Sequence, residues 1–180
     1  MKMSKKVLII SSSPRKGGNS DTLCDEFQKG ALEANHAVEK VVLADREIHY
    51  CTGCYACGNT GKCVQKDDMA PILESLVAAD VIVLATPVYF YTMCAQMKTL
   101  IDRTVARYLE ITGKEFYFIL TAAVTNKSAL NRTVEEFRGF TSCLKGAKEK
   151  GVLYGTGAWE AGDIATTPAL KQAYEMGKAV

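Results

Sequence analysis

Short apolar runs and helical periodicities alternate five times along the chain. Runs of strand length lie at residues 7–10, 38–43, 81–85, 116–121 and 152–155. Apolar residues at helical spacing follow them at residues 20–35, 67–77, 97–108, 130–144 and 165–178. This order predicts an α/β fold with a parallel sheet and helices on both faces. Ligands bind such sheets beyond the carboxyl ends of the strands, so we expect the loops after the first, third and fourth strands to line one crevice.

The loop after the first strand has the composition of an anion site. Serine, proline, basic residues, glycine and asparagine fill residues 11–20, and the next helix is predicted to begin there with Asn19 or Ser20 as its N-cap. Backbone N–H groups at a helix start favour anions, and Arg15 adds a planar charged fork. The dinucleotide fingerprint and the P-loop pattern are both missing from this loop, and its serine, arginine and asparagine residues suggest a terminal phosphate monoester as the ligand. The alternative is an ordinary capped turn with Arg15 and Lys16 in solvent.

The loop predicted after the third strand carries an unusual run of aromatic residues. Pro87 is followed by Tyr89, Phe90 and Tyr91. A flat ring system bound beside them would explain three aromatic rings in a loop. The alternative is that they cover the core or form a subunit contact. Thr121, at the end of the fourth strand, occupies the third loop position of the same crevice.

Two segments resemble the NADPH-dependent FMN reductase family of flavodoxin-like flavoproteins. They are residues 13–20, SPRKGGNS, and residues 86–93, TPVYFYTM, the latter followed by QMK at 96–98 and IDR at 101–103. The resemblance implies a doubly wound five-stranded parallel sheet of order 2-1-3-4-5 that binds FMN. It also implies a homodimer or homotetramer that passes electrons from NAD(P)H to a small acceptor, such as a flavin, a quinone, a nitro or azo compound, or a metal ion.

The predicted FMN contacts come from the three loops together. They are Ser11, Ser13, Arg15, Gly18, Asn19, Ser20, Pro87, Val88, Tyr89, Phe90 and Thr121. No catalytic acid or base is nominated, because hydride transfer to a flavin does not require one. His36 and His49 are expected to be surface or structural residues, and Trp159 either shields the ring or belongs to the core or an interface.

Four cysteines crowd into a long segment without periodicity between residues 44 and 66. Cys51, Cys54, Cys57 and Cys63 have the spacing C-x2-C-x2-C-x5-C. Three cysteines at this spacing allow a short loop to wrap around a 4Fe–4S cluster, whereas structural zinc more often uses two separated knuckles. The segment also resembles the iron–sulfur flavoproteins, which pass electrons between ferredoxin and FMN. Zinc, a redox disulfide and free thiols stay open as alternatives.

Composition narrows the function classes. The 180 residues are 48% hydrophobic and 23% charged, which fits one globular domain over residues 1–180. A net charge of +2 gives no support to binding of nucleic acid or a membrane, and the apolar runs are only of strand length. We expect a cytoplasmic protein in which Cys24, Cys94 and Cys143 are buried or inert thiols. Three hypotheses follow: an FMN-dependent oxidoreductase, an iron–sulfur flavoprotein that acts as an electron carrier, and a zinc-stabilised binding module.

Overall fold

The five predicted strands pair in one parallel sheet. The computed structural model describes residues 3–180, apart from the side chain of Asn59. The strands are β1 Lys6–Ser11, β2 Ala37–Val42, β3 Val81–Tyr89, β5 Glu115–Ala122 and β6 Lys148–Thr156. Their order is β2-β1-β3-β5-β6, and a two-residue strand, β4 Thr92–Met93, pairs antiparallel with β3. The five parallel strands therefore follow the predicted order 2-1-3-4-5, which is confirmed.

Helices cover both faces of this sheet. Within residues 3–180 they are α1 Asn19–Glu33, α3 Met69–Ala78, α4 Ala95–Arg103, α5 Asn131–Ser142 and α6 Pro168–Lys178, while the short α2 Cys57–Thr60 lies in the segment that holds the four cysteines. Alternate residues of the buried strands point to opposite faces. Val7 and Ile9 of β1 pack with α1 and α6, while Leu8 and Ile10 pack with α3, α4 and α5. None of these helices combines the length and the apolar character needed to cross a bilayer.

Two glycines bring α1 and α6 into backbone contact. A Cβ atom on Gly30 would lie 2.1 Å from the carbonyl oxygen of Tyr174, and one on Gly177 would lie 2.0 Å from that of Phe27. Real Cβ atoms do not approach oxygen so closely, so only glycine allows this crossing. The contact holds α6 against the helix that begins at the predicted phosphate loop.

The prediction of a loop at residues 86–92 is wrong for the first half of that segment. β3 continues to Tyr89, because Thr86 and Pro87 pair with Leu120 and Thr121 of β5. The chain then reverses through Phe90 and Tyr91 into β4. This two-residue turn lacks the Asn-Gly or Asp-Gly pair by which such hairpins are recognised in a sequence.

Two other boundaries also differ from expectation. The N-cap of α1 is Gly18 and not Asn19 or Ser20, since both side chains bond to other segments. α4 ends at Arg103 instead of near residue 108, and two short 3₁₀ turns follow it.

The last strand is also longer than the predicted residues 152–155. β6 begins at Lys148, where exposed charged residues form the edge of the sheet. Such residues hide a strand from a search for apolar runs.

Candidate functional site

Hydrogen bonds join the predicted loops at the carboxyl edge of the sheet. The backbone N–H and the hydroxyl of Ser12, after β1, both donate to the carbonyl of Ala85 in β3, at 3.0 and 2.8 Å. The hydroxyls of Ser20 in α1 and Thr121 in β5 lie 2.6 Å apart. The three segments predicted to line one crevice are therefore adjacent.

The first loop folds tightly around a glycine. The N–H of Gly18 donates to the carbonyl of Arg15 at 3.1 Å, and a Cβ atom on Gly18 would lie only 3.0 Å from that oxygen. No side chain caps the start of α1. The first-turn N–H groups therefore have no capping side chain and are suitable donors for an anion.

Arg15 is exposed beside this helix start. Its Nη1 donates to the carbonyl of Trp159 at 3.1 Å. The N–H groups of Trp159 and Glu160 donate to Asp163, which fixes the loop after β6 next to the first loop. Trp159 is 67% exposed, so it is not a core residue. Arg15 thus links the predicted phosphate loop to a segment that carries an exposed aromatic ring.

Several predicted phosphate donors already have partners within the protein. Asn19 accepts the N–H groups of Gly162 and Ile164 and donates to the carbonyl of Glu160 at 2.9 Å. Ser11 donates to Asp21, and Ser13 exchanges hydrogen bonds with the backbone of Arg15. In this arrangement their side chains fix the shape of the loops.

An ion pair beneath the first loop was not recognised in the sequence. Asp21 accepts the N–H of Gly17 at 3.1 Å and lies 2.7 Å from Nζ of Lys40 on β2. Burial alone would raise the pKa of Asp21, but hydrogen bonds from Lys40 and Gly17 outweigh it and hold that pKa below its ordinary value. No local pattern connects residues 21 and 40, so only the tertiary structure reveals the pair.

The aromatic hairpin combines exposure with unusual backbone angles. Tyr89, Phe90 and Tyr91 are 42%, 97% and 54% exposed. Phe90 and Tyr91 have φ angles of 49° and 66°, in the left-handed region that bulky residues rarely occupy. Pro87 is buried and Val88 half-buried at the base of the hairpin. The hairpin presents its rings to solvent at the cost of local strain.

The ends of the cysteine segment are fastened together. Glu47 and Asp68 exchange hydrogen bonds, and the N–H of His49 donates to Asp67 at 3.0 Å. From α4, Arg103 donates through both terminal nitrogens to the carboxylate of Asp67, at 2.6 and 3.0 Å, and to the carbonyl of His49 at 2.6 Å. Residues 50–66 therefore form a loop with a closed base, which we call the cysteine loop.

All four predicted metal ligands lie on one cavity of this loop. Cys51, Cys54, Cys57 and Cys63 line a cavity of about 300 Å³, together with Arg103. All four are free thiols, and a hydrogen bond from the N–H of Ala56 lowers the pKa of Cys54. Across residues 3–180, no three cysteine, histidine or acidic side chains already converge on a single ion position. Four thiols around one cavity therefore fit a group that is larger than a single metal ion.

Comparison with known proteins identifies the family. Residues 5–147 match the model of the NADPH-dependent FMN reductase family. The chain belongs to that family. Both segments that resemble the family, 13–20 and 86–93, lie within the matched region.

Relatives of this FMN reductase family member include proteins named iron-sulfur flavoproteins. The chain is 43% identical over 98 residues to an iron-sulfur flavoprotein of Archaeoglobus fulgidus, a match that covers 54% of the chain and 44% of that protein. The chain spans about half the length of the curated relatives it matches.

Solved structures show the same fold at low sequence identity. An NAD(P)H:quinone oxidoreductase from Methanothermobacter marburgensis superposes with a TM-score of 0.75 at 16% identity, over 98% of this chain and 96% of that one. An FMN-dependent NADH-azoreductase of Bacillus anthracis in complex with FMN gives 0.74 at 17% identity, over 97% and 98%. The flavodoxin-like fold predicted from the sequence is confirmed.

The remaining cysteines and histidines differ in their surroundings. Cys24 is buried, which raises the pKa of its thiol to about 12, and the buried Cys94 donates to the carbonyl of Ser12 at 3.2 Å. Cys143 is an exposed free thiol, so of the two expected states, buried or inert, only the second stays open for it. His36 is buried and accepts the N–H of Lys5, a structural role.

Proposed function

We propose that this chain is an FMN-dependent oxidoreductase that takes electrons from NAD(P)H and delivers them to a small acceptor such as a flavin, quinone, nitro or azo compound, or metal ion. The observation that carries this proposal is the joined set of loops at the carboxyl edge, beside a helix start without a side-chain cap. FMN, when bound, supplies a ring that accepts a hydride. The protein's own contribution is to bind, orient and shield that ring.

The phosphate end of FMN would be held by the first loop. Arg15 supplies a charged donor, and the tight turn at Gly18 brings backbone N–H groups of α1 to the same place. Ser11, Ser13, Asn19 and Ser20 keep the loops in shape through the hydrogen bonds already described.

The ring end of FMN would lie against the aromatic hairpin and Thr121. Pro87 and Val88 form the base of this hairpin, and Tyr89 and Phe90 offer the faces of their rings. Each of the two aromatic residues with a left-handed backbone lowers the stability of the fold by roughly 1–2 kcal/mol. Strain of this size at an exposed turn supports a role in binding, because folding alone would favour other residues there.

Rapid mixing with NADPH tests the NAD(P)H proposal. After anaerobic mixing with NADPH, the FMN-loaded protein should lose the absorption of its oxidised flavin. The absorption should return after addition of a quinone. A comparison with NADH gives the coenzyme preference. Failure of both coenzymes to bleach a chain that holds FMN would contradict direct use of NAD(P)H.

A second candidate function is favoured by the cavity that four cysteines share. In this account Cys51, Cys54, Cys57 and Cys63 hold a 4Fe–4S cluster, and the protein carries electrons between a ferredoxin and FMN. Four thiolates are the ligand set of such clusters, and the names of several relatives agree.

A cysteine variant tests this second function. Cys54→Ser should abolish iron binding and leave FMN affinity unchanged, as measured by iron assay and flavin titration of the same sample. Loss of both groups would show instead that the cysteine loop is structural. Zinc in place of iron in the wild type would favour the zinc-bound alternative.

We further propose a homodimer or homotetramer in the cytoplasm. The exposed aromatic rings of the hairpin provide a surface that a second copy would cover. Seven free thiols suit a reducing compartment. Light scattering during gel filtration gives the oligomeric state, and a monomer at micromolar concentration would contradict the first part.

A further inference from the structure

A fully buried arginine lies at the base of the cysteine loop. The side chain of Arg103 is 1% exposed, as is that of its partner Asp67. Its two terminal nitrogens are used by Asp67 and His49, whereas its buried Nε has no hydrogen-bond partner in the described part of the chain. Burial of a charged group with an unused donor is costly, so a further role for this group is expected.

The same guanidinium borders the cysteine cavity. Arg103 lines the cavity together with the four cysteines, and Cys63 is close enough to interact with it electrostatically. The other charged residue among the lining residues described is Asp102, and Lys98 pairs with it at 2.6 Å. The cavity therefore has a cation at its wall whose counter-charge, Asp67, belongs to the base of the loop.

We propose that Arg103 is a positioning residue that closes the base of the cysteine loop and whose buried positive charge raises the reduction potential of the 4Fe–4S cluster held there. This inference rests on the second proposed function. A cluster held by four thiolates becomes more negative when it takes up an electron, so a nearby cation stabilises its reduced form. Net charge and hydrogen bonds to the sulfurs are known determinants of cluster potential.

Asp67 should act in the opposite direction. Its carboxylate partly cancels the charge of Arg103, so removal of the carboxylate charge leaves a stronger positive field at the cavity. The alternative is that Arg103 and Asp67 only hold the loop closed. In that case loss of either residue would loosen the same loop and shift the reduction potential in the same direction.

The test is a potentiometric titration of the reconstituted cluster in two variants of the full chain. Dithionite supplies the single electron, and no bond is formed or broken. For Arg103→Gln we expect the ratio of reduced to oxidised cluster at a fixed potential to fall about tenfold, a shift of about 59 mV for a one-electron couple. For Asp67→Asn we expect that ratio to rise. Arg103→Lys keeps the charge and should keep the wild-type potential, even if it holds less iron.

Arg107→Gln is the matched control. Arg107 pairs with Glu74 and Glu110 and borders the neighbouring cavity, but it is not among the residues that line the cysteine cavity. It should leave the potential unchanged. Equal potentials in wild type and Arg103→Gln, or shifts of the same sign in Arg103→Gln and Asp67→Asn, would overturn the inference alone. A wild-type chain that assembles no cluster would overturn both this inference and the second proposed function.

Discussion

Arg15 stands at the mouth of the first loop, where its guanidinium meets solvent and the carbonyl of Trp159. Arg15→Ala should weaken FMN binding by about 1.5–3 kcal/mol, the usual contribution of a hydrogen bond to a charged group. Flavin fluorescence quenching on titration of the apoprotein measures the change. Lys16→Ala is the control, since Lys16 pairs with Asp45 and should leave the affinity unchanged. Equal affinities for wild type and Arg15→Ala would remove Arg15 from the site.

Asp67 links stability to pH. Hydrogen bonds from Arg103 lower the pKa of Asp67 from 3.8 to about 2 in the folded protein. A carboxyl group with a lowered folded pKa contributes stability above its unfolded pKa, and this contribution is lost as the pH falls toward the folded pKa. It should therefore be complete above about pH 4 and amount to roughly 2 kcal/mol.

Urea unfolding of wild type and Asp67→Asn at several pH values measures this contribution. The variant should be less stable at pH 6, and the difference should narrow between about pH 4 and pH 2. A difference that stays constant over this range would show that the Asp67 charge does not contribute as described.

At the scale of elements, the crossing of α1 and α6 depends on glycine. Gly30→Ala should destabilise the protein by about 1–3 kcal/mol, because its methyl group meets the backbone of Tyr174. Gly139→Ala on α5 is the matched control, since a Cβ atom there meets nothing within 4 Å. The control should be neutral or stabilising by up to about 1 kcal/mol. Thermal or urea unfolding distinguishes the two, and equal stabilities would contradict the close approach.

The hairpin between β3 and β4 combines strain with a proposed role in binding. Replacement of both turn residues, Phe90→Asn with Tyr91→Gly, should stabilise the fold by roughly 1–2 kcal/mol, because these residues tolerate positive φ. FMN affinity should fall, since a ring contact is lost. Tyr55→Gly is the control, because Tyr55 also has a positive φ, of 58°, but lies in the cysteine loop. This variant should leave FMN affinity unchanged. Unchanged FMN affinity in the double variant would assign the aromatic residues to a subunit contact instead.

At the scale of the whole molecule, the parallel sheet and the position of the crevice could be predicted from the alternation of strands and helices, and the order of the strands from the resemblance to the FMN reductases. The apolar runs of β1, β3 and β5 mark buried strands, and ligands of such sheets bind beyond the carboxyl ends of the strands, where the loops that follow β1, β3 and β5 lie. The cysteine spacing led to the prediction that four thiols hold one group, and in the structure these four cysteines line one cavity.

Features that depend on distant partners could not be predicted in this way. Arg103 belongs to a helical pattern, and only the tertiary structure shows that it reaches back to residues 49 and 67. Asp21 and Lys40 pair for the same reason. The aromatic turn at Phe90 was missed because its residues contradict the usual turn preferences, and such contradictions between local and global structure occur at functional sites.

An absorption spectrum of anaerobically purified protein, with iron and sulfide assays on the same sample, shows whether the chain binds FMN and whether the cysteine loop holds a cluster. We expect flavin bands in every preparation that has been supplied with FMN. A broad additional shoulder with stoichiometric iron and sulfide would establish the cluster in the cysteine loop as well. Flavin bands without iron would leave an FMN-dependent oxidoreductase and remove the electron-carrier role. Protein that stays colourless after addition of FMN would contradict the proposal that this chain binds FMN.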